Sequence, residues 1–220
     1  MAAVRVALEE NLSGGGLIRD NDLDTLTLDQ EIWSKVEDAA VAVSLAAPKE
    51  YFREGERIPA GAIEISWDMS GRLPLPADFM RLLVFQMDEW QRPVYEPIGE
   101  DDPLYSRQKD RWAGLRGTPE RPVAAVVHDD EGLTLEFWSC GSLQARPLRS
   151  SYAKFPKVTG NTLTMEPLLY RPMIYMAAAL TRQAYGEVQH AKELEATAYR
   201  LMAPLPNATT ARRAQRKEKQ

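Results

Sequence analysis

The sequence predicts an α+β fold: a helical bundle, a β-rich insertion and an extended C-terminal tail. Three observations carry that expectation. Residues 29–47 and 172–203 repeat apolar side chains at three- and four-residue steps, the period of a helix face. Residues 58–166 instead alternate, with most of the prolines and many glycines between short runs, as strands joined by turns do. Beyond Pro204 the chain turns basic and carries no apolar period.

The elements follow in order. Residues 1–28 form an N-terminal arm with no single pattern, and Ser13 to Gly16 (SGGG) reads as a flexible break. Thr27-Leu-Asp-Gln30 fits a capping box, in which Thr27 and Gln30 satisfy opposite backbone donors. A helix follows up to Pro48, with Ile32, Val36, Ala39, Val43 and Ala47 on one stripe, widened by Trp33 and Ala40. Within the insertion, Ala62 to Trp67 alternate and Phe79 to Trp90 alternate in part. Pro122–His128 and Leu133–Ser139 flank Asp-Asp-Glu-Gly, which predicts a hairpin. Gly99 to Pro122 is a long polar loop with room for a helical turn from Tyr105 to Trp112, and Asn161–Pro167 is a last short strand. A helical hairpin closes the bundle. Pro172 suits a first turn, Met173, Ala177, Leu180 and Ala184 share a face, and Gly186 supplies a left-handed stop. Ala191, Leu194, Ala198 and Leu201 line the second helix, and alanine on both lets the two approach closely. The division is therefore 1–28 arm, 29–57 with 167–203 helical scaffold, 58–166 β-rich insertion and 204–220 tail.

Composition narrows the chemistry. Of 220 residues, 44% are hydrophobic and 27% charged, ordinary for a globular chain. No apolar run reaches the roughly 20 residues that span a bilayer, and the N-terminus lacks a signal-peptide pattern, which together predict a cytoplasmic protein with no membrane partner. Cys140 is the one cysteine, which excludes an intramolecular disulfide and a multi-thiolate zinc site. The net charge of −5 is uneven: Arg212, Arg213, Arg216, Lys217 and Lys219 against Glu218 make the tail positive, so the body is the more acidic. Such a body repels nucleic acid, and the tail suits an acidic partner.

Several chemical readings fail on spacing. Neither a P-loop, a dinucleotide fingerprint nor a metalloprotease motif occurs, and Gly14 to Gly16 has no following Lys-Ser/Thr. Cys140 and His128 flank the same hairpin at unequal distances from its turn, so a buried or half-buried thiol at the hairpin base is a better reading than a catalytic pair. Glu100, Asp101 and Asp102 are consecutive and cannot all reach one cation; Asp20, Asp22 and Asp24 lack the glycine and distant glutamate of a calcium loop. Trp67, Trp90, Trp112, Trp138 and Tyr152 lie beside carboxylates rather than cations, which favours core packing over a base-stacking platform. The expectation is a non-enzymatic protein that uses no metal or cofactor.

At this point the layout resembles a known group. A helix, a β-rich insertion and a closing hairpin, AAALTRQAYGEVQHAKELEATAYRL, with the Leu75–Trp90 segment LPADFMRLLVFQMDEW, resemble the head–tail connectors of tailed bacteriophages. The similar proteins are the tubular tail protein A type of short-tailed phages and the ring proteins below the portal in crAss-like phages. The likeness covers most of the chain as an order of elements; the long 99–121 insertion and the N-terminal 28 residues depart from it. The resemblance implies a structural virion protein at the portal–tail junction, made in the bacterial cytoplasm. It implies a homo-oligomeric, usually dodecameric, ring that contacts the portal and the next tail protein while genomic DNA passes without specific binding. Arg212, Arg213, Arg216 and Lys217 are then the docking cations, because an arginine fork pairs well with carboxylates, and Leu104, Tyr105 and Trp112 are apolar anchors on the polar loop. The competing reading is a nucleic-acid-binding accessory protein whose tail grips phosphates.

Overall fold

The chain has an α+β fold. Its computed structural model describes residues 1–9, 28–53, 55–59, 63–110, 116–130 and 132–203. The contacts divide it into two compact units, one formed by Met1–Arg53 with the chain from Phe155 onward, the other by Glu54–Lys154.

The first unit is helical. Its elements are α1 (Ala2–Glu9), α2 (Leu28–Ala46), α4 (Tyr170–Ala184) and α5 (Val188–Leu201), with the short β8 (Lys157–Thr159) and β9 (Thr162–Thr164). The expected α2 stripe is buried throughout, and Ala40 with it; Asp29 and Glu31 in its first turn complement the helix dipole. Thr27 of the expected capping box lies outside the described residues. Two differences from expectation stand out. The arm contains a helix, α1, whose Val4, Ala7 and Leu8 are buried in the same core as α2 and α4. The β8–β9 hairpin belongs to this unit and not to the β-rich insertion: Val158, Leu163 and Met165 pack against the helical core.

The helix α4 is buried well beyond one stripe. Met173, Met176, Ala177, Ala178, Ala179 and Thr181 are all covered, because α1, α2 and α5 each pack on it. Ala184, expected on the inner face, is exposed at the last position of α4, although Thr181 and Arg182 of the same turn are buried. The stop is as predicted. Gly186 has φ +78°, the Gly186 N–H donates to the Gln183 carbonyl at 3.0 Å, and the Glu187 N–H donates to the Arg182 carbonyl at 3.0 Å. That pair of bonds is a Schellman turn. It also sets the Glu187 carboxylate beside the Arg182 side chain, whose Nη1 donates to it at 2.6 Å.

Arg182 is only 1% exposed. Its Nη2 donates to the Leu8 carbonyl at the end of α1, and its Nε has no hydrogen-bond partner among the described residues. At the other end of the bundle the buried Tyr51 hydroxyl donates to the Leu201 carbonyl at 2.9 Å and lies 3.0 Å from that of Ala203. It thereby satisfies acceptors that the end of α5 leaves open.

The second unit contains two antiparallel sheets. The first has the order β1 (Glu56–Arg57), β7 (Pro147–Lys154), β4 (Phe79–Met87). The second has the order β2 (Glu64–Ile65), β3 (Ser70–Pro74), β6 (Gly132–Trp138), β5 (Val123–Asp129). Side chains of both meet in one core around Ile58, Leu73, Leu82, Phe85, Phe137 and Trp90. The β4 run alternates only in part because its pairing with β7 shifts register three times. Buried positions consequently fall at Phe79, Leu82, Phe85 and Met87, at steps of three and two. The predicted hairpin is present, with Asp129 opposite Gly132 and two residues between them. Its β6 strand has two covered faces: Leu135 and Phe137 enter the main core, while Thr134 and Trp138 are buried on the other side. A short helix, α3 (Pro103–Gln108), covers that second side near Trp138.

Two substitutions test this packing. Arg182→Ala leaves the Leu8 carbonyl and Glu187 without their buried partner and should lower unfolding free energy by about 3 kcal/mol. Denaturant titration that gives a loss below about 1 kcal/mol contradicts the pinning of α1 by Arg182. Gly71 lies opposite Phe137, and a Cβ there would meet the ring at 2.3 Å. Gly71→Ala should therefore destabilise by about 2 kcal/mol, and an unchanged melting temperature would count against the close approach.

Candidate partner-binding surface

The polar loop after Gly99 is organised from its charged residues. Asp102 caps α3 by accepting from the Leu104 N–H at 2.8 Å, with Pro103 in the first turn. Glu100 accepts instead from the His128 N–H on β5. Two of the three consecutive carboxylates, Glu100 and Asp102, thus serve different elements. Gln108 is buried and ties the loop together: its Nε2 donates to the Leu104 carbonyl at 3.1 Å, and its Oε1 accepts from the Gly117 N–H at 2.7 Å.

Tyr105 faces inward. Its ring meets Trp138 edge-on at 5.9 Å, and its hydroxyl donates to Glu136 at 2.8 Å. Lys109 stands 4.4 Å over the same ring. Burial, opposed by Lys109 and helped by Glu136, pushes the Tyr105 hydroxyl above its ordinary pKa; the contact with Tyr105 raises that of Lys109. Glu136 also accepts from Arg72 across the β3–β6 pair at 2.9 Å. Arg116 donates to the Asp110 carbonyl at 2.6 Å and approaches Asp68 at 4.0 Å. Between these groups lies an open polar cleft of about 260 Å³, lined by Asp68, Arg72, Lys109, Arg116, Glu136 and Trp138 among others.

Trp67 directly precedes Asp68 of this lining. It was expected in the core with Trp90, Trp138 and Tyr152, which are buried, yet it is 87% exposed. Ile63, Ile65 and Trp67 are in phase, so alternation places all three inside. The strand stops at Ile65, however, and the turn through Ser66 to Ser70 swings Trp67 out of register. The Asp-Met-Ser-Gly run after Trp67 is the sequence signal for that turn.

The expected anchors are distributed differently. Leu104 is exposed on α3, whereas Tyr105 is half-buried and holds α3 onto the sheet. Trp112, Arg212, Arg213, Arg216 and Lys217 lie outside the described residues, as does the Asp20–Asp24 run. Arg72, Lys109, Arg116 and Glu136 were not singled out in the sequence; the β3–β6 pairing joins Arg72 to Glu136, and the loop that carries α3 brings Lys109 and Arg116 to the same cleft.

Cys140 and His128 are far apart. His128 pairs with Leu133 near the turn, while Cys140 lies beyond Trp138 at the open end. Along the strand that is roughly 20 Å. Burial, then the Glu89 and Asp88 carboxylates, push the Cys140 thiol up to about 12. A thiol held neutral in this way is a poor nucleophile at neutral pH.

No family model matches the chain, and none of the curated proteins compared with it is similar in sequence.

The thiol gives a direct test. Because its folded pKa is raised, the folded state holds this proton longer than the unfolded state, so its contribution to stability is whole below about pH 9 and lost as pH rises toward 12. Native protein at pH 8 should react with an aromatic disulfide reagent at least about 100-fold more slowly than unfolded protein. Equal rates would contradict the burial of Cys140.

Proposed function

We propose that the chain is a head-to-tail adaptor of a tailed bacteriophage: a structural, non-catalytic subunit of an oligomeric ring beneath the portal. The observation that carries this reading is the topology. The chain leaves the helical unit once, at Arg53, builds the whole β unit, and returns once, at Phe155. A scaffold with one inserted module suits a subunit that packs sideways through one unit and offers the other to a following component. The helical unit is tied at both ends, by Arg182 and by Tyr51, as a ring scaffold that bears load requires.

Charge supports the same reading. An acidic body lets DNA pass without sticking, because phosphate binding needs a cationic wall. The basic tail, through Arg212, Arg213, Arg216 and Lys217, docks on a carboxylate-lined cleft of the portal or of a neighbouring copy. Contacts that are weak singly become firm when a ring repeats them. No cofactor or metal enters this function.

Deletion of residues 205–220 should leave the circular-dichroism spectrum and melting temperature unchanged while abolishing incorporation into portal-bearing shells. Full incorporation of the truncated chain would overturn the docking role of the tail. Duplex-DNA binding that falls steeply with salt and is lost on the same deletion would favour the nucleic-acid reading instead.

A further inference from the structure

A lone exposed apolar side chain is ordinary on a protein surface. Trp67 differs because its position is fixed. The turn that presents it is tied by Ser66 N–H to the Ser70 carbonyl at 2.8 Å and by Met69 N–H to the Ser66 carbonyl at 2.9 Å. The Asp68 carboxylate accepts from the Ser70 hydroxyl at 2.7 Å and from its N–H at 3.2 Å. Met69 is held at φ +65°, a conformation unfavourable for a side chain with a Cβ, and its carbonyl accepts from the Cys140 N–H at 3.1 Å. Such strain persists only where surrounding bonds over-determine it. A tip built in this way offers the indole with little ordering entropy left to lose, the condition for a binding anchor.

The same unit carries a cleft suited to that anchor. Asp68, the next residue in the chain, lines it, so the anchor stands beside the cleft without filling it. A volume of about 150 Å³ holds a benzene ring, and the cleft offers about 260 Å³. Its wall includes the Trp138 ring, and Arg72, Lys109 and Arg116 border it. An indole entering there meets an aromatic edge and cations that favour its π face. The carboxylates Asp68 and Glu136 are drawn toward Arg116 and Arg72, which leaves Lys109 the cation tied to no carboxylate by a described ion pair.

We propose that two copies of this chain associate by inserting Trp67 of each into the Asp68–Arg72–Lys109–Glu136–Trp138 cleft of the other. Anchor and cleft lie side by side, so one two-fold axis satisfies both insertions at once. A two-fold contact has no place among like-oriented subunits of a ring. The pair is therefore the form of the unassembled chain, and the proposal does not rest on the connector reading.

Sedimentation velocity over about a hundredfold range of concentration tests it. The full chain should pass from monomer to dimer, with tryptophan emission shifting to the blue and iodide quenching falling as it does. Trp67→Ala should keep its melting temperature and dissociate at least about 30-fold more readily. Lys109→Glu, at the exposed rim of the cleft, should weaken the pair as well, while Trp67→Phe retains part of it. The proposal is overturned if the wild-type chain stays monomeric across the range. It is equally overturned if either Trp67→Ala or Lys109→Glu associates like wild type.

Discussion

Arg182 carries a positive charge into the helical unit at a point where α1, α4 and the start of α5 converge. A charge taken out of water is expensive unless it finds close partners. Here the partners are the Glu187 carboxylate and the Leu8 carbonyl, supplied by two different segments. Neither is available unless α4 ends in its Schellman turn and α1 lies along α4. The guanidinium thus makes two local features conditional on each other: the left-handed Gly186, and the docking of an eight-residue helix too short to persist alone. Buried alanines on α2, α4 and α5 let these helices approach closely. The ion pair and the carbonyl contact fix the register.

The β unit solves a different problem. In its second sheet β5 and β6 bury side chains on both faces, one in the main core and one toward α3, which removes there the usual division between a dry and a wet side. The polar groups on the α3 face must then find partners. Glu136 does so through Tyr105 and Arg72, and Asp68 through Ser70, whose hydrogen bonds hold that carboxylate below its ordinary pKa. The cleft is what remains where these paired charges stop short of filling the space under α3. Its chemistry follows from the pairing, with cations, carboxylates and Trp138 together in its lining.

Much of this was readable in the residues. The α2 stripe, the left-handed glycine, the hairpin turn at Asp130 and the α+β division all follow from period and turn chemistry, which are local properties. The failures are non-local. Alternation in β4 is obscured by bulges that depend on its partner β7. The run PLRSSYAK of β7 has no apolar alternation of its own and becomes a strand because β1 and β4 pair with it. Arg182 reads as one more solvated charge on a helix, and nothing in the sequence announces that α1 would cover it. Trp67 shows the reverse error: strand phase places it inside, and the position of the turn decides otherwise. At the candidate surface, the sequence locates the loop that carries Leu104 and Tyr105 but not the cross-strand partners that turn Tyr105 inward.

Charged groups such as Arg182 and Glu136 hold segments of this chain together, and on the proposed reading the basic tail is left to meet other chains. That is the physical content of the connector reading. Electron microscopy of the assembled particle, at a resolution that traces side chains, tests it most directly. The account predicts α2, α4 and α5 of this chain repeated around the axis between portal and tail. A complete junction traced without this chain would contradict it.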